Sequence, residues 1–156
     1  MPSALQHELR QRRPFQSAAH EAIVGLMRTA DLIKRHAAAI VEPHGITLQQ
    51  FNVLRILRGA GDDGLPTLEV ADRMIEQTPG ITRLLDRLEA KQLVRRQRCP
   101  KDRRQHLCWI TAHGLSLLEK IDAVASRSSE QSLKGLRAKD RVTLIRLMDA
   151  IRAAHR

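Results

Sequence analysis

Apolar residues recur at helical spacing over long stretches near both ends of this 156-residue chain. At the N-terminal end the pattern predicts one helix within residues 15–42, ended by Pro43. At the C-terminal end it predicts two helices within residues 112–154, the first capped by Thr111. Stripes of this length exceed what so small a domain can cover alone, so we expect these helices to pack in a dimer. Residues 1–14 lack periodicity and are predicted to form a flexible arm.

Shorter periodic runs predict a compact lobe over residues 47–110. Thr47 and Gln50 form a capping-box pattern in front of a three-turn helix. The hexapeptide GAGDDG then matches a nucleotide-binding glycine pattern, but it follows a helix and carries two aspartates, so we interpret it as a loop. Thr67 is predicted to cap a short helix, and Thr78, with Pro79 at the first helical position, to begin another. Two helices joined by a short turn indicate a helix-turn-helix.

Two β-strands are predicted directly after the helix-turn-helix. Residues 93–99 and 106–110 are rich in Val, Leu, Trp and Ile and flank the loop PKDRRQ, which is typical of a wing. The predicted fold class is therefore mainly α, of the α+β kind. It consists of a winged helix-turn-helix lobe with a two-stranded β-wing, plus long N- and C-terminal helices that form a dimerisation region.

Positive charge is concentrated in the second half of the lobe. The chain has a formal net charge of +10, and residues 78–106 hold nine cations and three acids, which gives 9 − 3 = +6. Such a surface neutralises successive phosphates and releases their counterions. Aromatic residues make up only 2% of the chain, which disfavours base stacking on single strands and favours duplex DNA. The nine cations are Arg83, Arg87, Lys91, Arg95, Arg96, Arg98, Lys101, Arg103 and Arg104.

Other classes of protein find little support in the sequence. We find no catalytic motif among the 7 His and 17 acidic residues, so we expect neither an enzyme nor a cofactor or metal site. No secretory signal or membrane span is visible, and two cysteines suggest a reducing cytoplasm. If the hairpin closes at PKDRRQ, Cys99 faces His106 and lies diagonal to Cys108. We interpret both cysteines as small strand residues, and a cysteine-based redox sensor is an alternative.

Three motifs resemble the multiple antibiotic resistance regulator (MarR) family of bacterial transcription factors. ITRLLDRLEAKQLVRR is similar to the family's recognition helix and first wing strand, KDRR and LCWITAHG to its wing and the following corner, and GITLQQFNVLRIL to its second helix. The resemblance covers residues 17–154. It implies a single domain over residues 15–156, an obligate cytoplasmic homodimer associated with the nucleoid when DNA is bound, and repression or activation of nearby genes at a palindromic operator, with repression as the expectation.

Three departures from the family pattern carry structural consequences. Gln92 stands where a glycine usually closes the recognition helix, so a non-glycine residue must adopt a left-handed conformation there. Ala112 stands at a common proline position. The first helix carries no cysteine, which disfavours the peroxide-sensing branch of the family.

The DNA contacts are expected on two elements. The recognition helix should enter the major groove, where Gly80 permits close approach, and Arg103 or Arg104 of the wing should reach the minor groove. Asp102, by family resemblance, orients an arginine. The predicted contact residues are Thr78, Pro79, Gly80, Thr82, Arg83 and Arg87 in the helix, and Lys101, Asp102, Arg103 and Arg104 in the wing.

Two functional questions stay open at the level of sequence. The resemblance implies a pocket for a small amphipathic or phenolic effector between the lobe and the dimer helices, with His36, Ile40, Phe51 and Arg55 as candidates. The alternative to an operator-specific regulator is a nonspecific, nucleoid-type DNA-binding protein. A competition gel-shift assay separates the two, because the nonspecific protein would bind every duplex about equally.

Overall fold

The computed structural model describes residues 3–77, 79–100, 102 and 104–155, and these form helices with one small sheet. The predicted fold class is confirmed. A one-turn 3-10 helix at Glu42–His44 contains Pro43 and follows the first long helix. The elements, in chain order, are α1 (Ala4–Glu8), α2 (Ala18–Val41), α3 (Leu48–Ala60), β1 (Leu65–Pro66), α4 (Thr67–Asp72), α5 (Ile81–Ala90), β2 (Val94–Arg98), β3 (His106–Ile110), α6 (Ala112–Ser132) and α7 (Ala138–Ala153).

The sheet has one more strand than predicted. All pairs are antiparallel and the strand order is β1-β3-β2, with Leu65 of β1 opposite Cys108 of β3. A two-residue strand that contains Pro66 has no alternation to detect, so the sequence pattern gave no sign of β1. Its effect is to fasten the base of the wing to the chain just after α3.

The hydrophobic core lies within the winged lobe (residues 47–110) and at its junction with α6. The apolar positions of α3 and α5 face each other, and β2, β3 and α6 close the space around them. Burial of these side chains supplies the main driving force for folding of the lobe. The most deeply buried side chains are Val41, Val53, Leu54, Leu57, Val70, Leu85, Leu88, Val94, Cys108, Leu118 and Ile121.

The terminal helices (α2, α6 and α7) leave much of their apolar surface uncovered in the protomer. Helix α2 buries only Val41, at its C-terminal end, and α7 buries none of its residues. Exposed stripes of this kind call for a partner surface. The exposed large apolar side chains on these helices are Ile23, Leu26, Met27, Leu32, Ile33, Leu115, Val124, Val142, Ile145, Leu147 and Ile151.

The helix ends test the capping predictions individually. Thr47 accepts from the Gln50 amide while the Gln50 side chain accepts from the Thr47 amide, so the predicted capping box is confirmed. Thr111 caps α6 by accepting from Gly114, also as predicted. The prediction for Thr67 is wrong, because Thr67 is the first residue of α4 and makes no capping bond. Its hydroxyl instead donates to the His106 carbonyl of β3, 3.4 Å away.

The recognition helix α5 begins later than predicted. We expected it to start at Pro79 behind a Thr78 cap, but its first residue is Ile81 and Gly80 is the N-cap. Thr78 lies outside the described residues. Gly80 has φ 104°, a left-handed conformation that a residue with a Cβ rarely adopts, so this helix start depends on glycine. At the other end Gln92 has φ 59°, which confirms the predicted left-handed residue without glycine.

The N-terminal segment contains a short helix, and the flexibility predicted for residues 1–14 stays a prediction. Ser3 caps the five-residue helix α1 by accepting from the Gln6 amide at 3.2 Å. Glu8 then forms an ion pair with Arg28 of α2, with Nε and Oε1 2.8 Å apart. These local contacts hold the segment against the first long helix. Among the described residues, no helix is both long and apolar enough to cross a membrane.

Candidate nucleic-acid interface

Helix α5 presents one apolar and one polar face. Leu84, Leu85 and Leu88 are buried in the lobe. The opposite face exposes Thr82, Arg83, Asp86 and Arg87, because residues three and four apart share one side of a helix. Arg83 and Arg87 take part in no ion pair within the described part of the chain. Their charges are therefore available to an anion outside the protein.

The basic residues of the lobe divide into free and engaged cations. Arg98 and Arg104 are exposed and, like Arg83, have no carboxylate partner among the residues that the structure describes. Lys91 donates to the carbonyl of Gly45, ahead of α3. Arg96 is paired with two carboxylates of α5, and the exposed Arg95 lies over the Trp109 ring. The positive surface is thus smaller than the sequence count suggests, and it is focused on α5 and the wing.

Arg96 joins the wing to the recognition helix. Its Nε donates to Glu89 Oε2 at 3.0 Å, and its Nη2 reaches the same oxygen at 2.6 Å and Asp86 Oδ1 at 2.5 Å. The Arg96 backbone amide also donates to Glu89 Oε1, 3.1 Å away. Burial lowers the pKa of the guanidinium, but the bonds to Glu89 and Asp86 outweigh it and raise that pKa above its ordinary value. Arg96 therefore stays charged, and its Nε and Nη2 are both bonded to carboxylates of α5.

The opposite face of the sheet carries a second attachment of the wing. Trp109 of β3 donates from Nε1 to the carbonyl of Asp62 at 2.9 Å, and the Arg95 guanidinium lies 4.1 Å from the centre of its ring. A Cβ on Gly64 would lie 2.5 Å from Trp109 Cε2, so the loop GAGDDG can approach the ring only with glycine at this position. The prediction that GAGDDG forms a loop is wrong for Gly59 and Ala60, which still belong to α3, and is confirmed for residues 61–64, which contain a one-turn 3-10 helix at Gly61–Asp63.

The tip of the wing is a tight turn around Asp102. Asp102 Oδ1 accepts from the Arg104 backbone amide at 3.0 Å, and the Asp102 carbonyl accepts from the Gln105 amide at 3.0 Å. The aspartate therefore shapes the turn that exposes Arg104. The predicted contact residues Lys101 and Arg103 lie outside the described residues. The family-based role of Asp102 in orienting an arginine side chain stays a prediction.

The predicted placement of the two cysteines is wrong. Arg98 pairs with His106 and Arg96 with Cys108, so Cys99 falls one position beyond the His106 pair. Side chains alternate across a strand, which puts Cys99 and Cys108 on opposite faces of the hairpin. Cys108 is fully buried, and burial raises the pKa of its thiol, while a hydrogen bond with Thr67 and the Arg96 charge act in the other direction.

Two cavities open on the lobe, and neither is lined by the effector candidates. The larger, about 830 Å³, lies between α4, α5 and the wing and includes Thr82, Arg96 and Arg104 in its lining. The smaller, about 470 Å³, lies beside the start of α3 and includes Arg87 and Lys91.

The four effector candidates lie on the first two long elements of the chain. Arg55 lies over the Phe51 ring, 5.6 Å from its centre. Phe51 is buried, Ile40 is half-buried, and His36 is exposed on α2. Their role in ligand binding stays a prediction.

Comparison with known proteins matches this architecture to one family. Residues 46–106 match the MarR family model. The chain is 33% identical over 96 residues to the HTH-type transcriptional regulator MhqR of Bacillus subtilis. The aligned region covers 62% of this chain and 65% of MhqR, just under two thirds of that relative.

Two solved structures extend the match over most of the chain. A MarR transcription factor from Planctomyces limnophilus is 38% identical, with a TM-score of 0.67 over 87% of this chain and 98% of that one. A cysteine-to-serine mutant of E. coli MarR in complex with operator DNA is 25% identical, with a TM-score of 0.70 over 86% of this chain and 99% of that one. The chain belongs to the MarR family, whose members are transcription regulators and not enzymes.

Sequence reasoning missed the residues that fix the wing. The partners of Arg95 and Arg96 were not predicted, since a run of basic residues shows no sign that Arg96 turns inward or that the exposed Arg95 lies over the Trp109 ring. A signal was present for Arg96, because Asp86 and Glu89 lie three apart on one face of α5 and close to the following strand. The contact between Trp109 and Gly64 had no comparable signal.

Proposed function

We propose that this chain is a homodimeric, sequence-specific regulator that binds double-stranded DNA and represses transcription at a palindromic operator. The observation that carries the proposal is the set of free cations on one lobe. Arg83 and Arg87 lie on the exposed face of α5, and Arg104 projects from the wing. This arrangement suits a helix in the major groove and an arginine in the adjacent minor groove.

The dimer follows from the apolar surface of the terminal helices. A single protomer leaves side chains such as Met27, Ile33 and Ile145 in water, and a second copy would cover them around a two-fold axis. A two-fold dimer presents two recognition helices to half-sites about one helical turn apart, which is why the expected operator is palindromic. The E. coli MarR mutant that was solved with operator DNA supports the same mode of binding.

The proposed regulator is released from DNA by a small amphipathic or phenolic ligand. The ligand would act by shifting the population of dimers toward a spacing of the two recognition helices that no longer fits the half-sites. Candidate contacts are His36, Ile40, Phe51 and Arg55, at the junction between α2 and α3. Ligand-induced loss of operator binding in a gel-shift titration would support this step, and mutation of Arg55 should weaken the ligand response without weakening DNA binding.

The test of DNA binding begins with selection of a duplex from a random library. Arg83→Ala should weaken binding to the selected duplex by about tenfold or more, because a good contact to a base or phosphate contributes roughly 1–3 kcal/mol. Arg127→Ala is the matched control, since Arg127 is an exposed arginine of α6 outside the lobe. Equal affinity for the selected duplex and for random DNA would instead favour the nonspecific, nucleoid-type protein.

A further inference from the structure

Among the described cations of residues 78–106, Arg96 stands apart because its side chain turns toward the protein. The Arg96 side chain is only 18% exposed, and it bonds two carboxylates on neighbouring turns of α5. We propose that Arg96 is a positioning residue, which fixes the angle between the wing and the recognition helix and makes no contact with DNA. The inference rests on the proposed function, since a fixed angle matters only if both elements engage one duplex. We call the cluster Asp86, Glu89 and Arg96 the brace.

The geometry of the brace restricts the movement of the wing. The only covalent link from α5 to β2 is the short turn at residues 91–93, where Gln92 has a left-handed conformation. The β3 side of the hairpin is held by β1 and by Trp109, whereas the β2 side is joined to α5 through this turn. The brace adds a bond from the C-terminal half of α5 to the middle of β2, where Arg96 lies opposite Cys108, and so fixes β2 against the recognition helix. Charge-assisted bonds to a planar guanidinium impose direction as well as distance.

The charges of the brace explain why acidic residues occur on a DNA-facing helix. Asp86 is about half exposed on the same face as Arg83, and an uncompensated carboxylate there would repel phosphate. The positive charge of the Arg96 guanidinium offsets the negative charge of Asp86. Asp86 and Glu89 thus bind one of the nine cations within the protein, and this contact attaches the wing rigidly to α5.

A rigid attachment favours simultaneous engagement of both grooves. Once α5 occupies the major groove, a braced wing already holds Arg104 near the minor groove and loses little conformational entropy on binding. A wing that moves freely must be ordered on binding, and its arginine then contributes less. Loss of the brace should therefore reduce the contribution of Arg104 in particular, more than it reduces binding in general.

The experiment compares the cost of Arg104→Ala with and without the brace. The double variant Glu89→Gln/Arg96→Met removes the brace and leaves the formal net charge unchanged. In the natural protein Arg104→Ala should weaken operator binding by about tenfold, and in the braceless background by less than about threefold, a coupling within the usual range for interacting residues. A residue that served only overall stability would leave these two ratios equal.

Two controls separate positioning from charge and from folding. Arg98→Met removes one cation from the same strand and should lower the salt dependence of binding while the full cost of Arg104→Ala persists. Circular dichroism checks that the braceless protein folds. If it does not, Glu89→Gln alone provides the comparison, because it weakens the bonds to the guanidinium and keeps Arg96 in place.

Hydrogen exchange of the DNA-free protein supplies an independent measurement. Amides of β2 and β3 should exchange faster in the braceless variant, while those of α3 and α6 keep their protection. Equal costs of Arg104→Ala in both backgrounds, or unchanged exchange in the wing strands, would overturn the positioning role and leave the proposed function standing. A natural protein that does not prefer its selected duplex over random DNA would overturn both.

Discussion

The winged lobe and the terminal helices of this chain use similar apolar residues in opposite ways. In the lobe, leucines such as Leu54 and Leu85 are completely buried within the protomer. On the terminal helices, residues of the same kind, such as Met27 and Ile145, are mostly exposed. The lobe therefore contains its own core, whereas the helices leave apolar surface that a second copy would cover in the proposed dimer. The contrast predicts that folding of the lobe and assembly of that dimer draw on separate sets of residues.

The comparison also extends to charge. In the lobe, carboxylates such as Asp86 and Glu89 restrain Arg96 and leave other cations free for DNA. On the terminal helices the ion pairs lie mainly on the surface, as between Arg137 and Asp140. Exposed pairs contribute little to stability, typically less than about 1 kcal/mol. The ion pairs of Arg96 thus fix the geometry of the lobe, whereas a pair between neighbours on one helix, such as Arg137 and Asp140, does not join two elements.

The largest effect is expected from a change in the lobe core. Leu54→Ala should lower the free energy of unfolding by about 3 kcal/mol, because it removes buried methyl groups and leaves a cavity. Urea denaturation at several protein concentrations measures the loss. The same destabilisation should appear at each concentration, since Leu54 is buried entirely within the protomer. A loss that varies strongly with concentration would mean that the lobe core also depends on the dimer.

Substitutions in the exposed apolar stripe of α2 are expected to destabilise folding less than Leu54→Ala does. Their main effect should be on assembly of the proposed dimer. The pair Met27→Glu/Ile33→Glu should dissociate the dimer, because two carboxylates would be buried without partners at the interface. Light scattering after size-exclusion chromatography measures the mass. Operator affinity should fall by about tenfold or more, since a monomer presents only one recognition helix.

Ala39→Glu, at an exposed position on the side of α2 opposite Met27 and Ile33, serves as the control and should stay dimeric. A dimer that persists in the double variant would show that this stripe lies outside the interface. The lobe and the terminal helices would then differ in burial within the protomer, but the stripe on α2 would have no role in assembly.

The smallest effect concerns the reactivity of the two cysteine thiols, which measures how often the hairpin opens to solvent. A thiol-alkylating reagent should modify Cys99 at least about tenfold faster than Cys108, because the thiolate is the reactive form and burial both shields Cys108 and raises the pKa of its thiol. As the pH is increased, Cys108 should form thiolate later than a solvated cysteine would. Mass spectrometry of the labelled peptides measures both rates. Equal rates would mean that the hairpin opens readily, and a redox role for Cys108 would then gain support.

Local sequence signals predicted many of the elements and fewer of their contacts. The capping box at Thr47, the cap at Thr111 and the left-handed Gln92 were all predicted, because each depends on neighbours within a few residues. The start of α5 was predicted two residues too early, since Pro79 is compatible with a first helical turn and equally with the turn before it. The hairpin register was displaced by one position, which moved Cys99 to the other face.

The residues of the candidate interface also divide into those that helical spacing predicts and those whose partners only the tertiary structure shows. Arg83 and Arg87 could be assigned to the exposed face of α5 from helical spacing alone. The partners of Arg95 and Arg96 could not, because no local rule states which of several adjacent arginines will meet a carboxylate or a tryptophan.

The sequence by itself determined the long helices, the caps at Thr47 and Thr111, the apolar stripes and the concentration of positive charge, since these depend on the order and type of nearby residues. The tertiary structure alone decided which cations are free and which are engaged. It also decided that β1 joins the wing, and that Trp109 rests on a loop 45 residues earlier, at Gly64. The physical reason is that these contacts join segments far apart in the chain, and their formation depends on packing of the whole lobe.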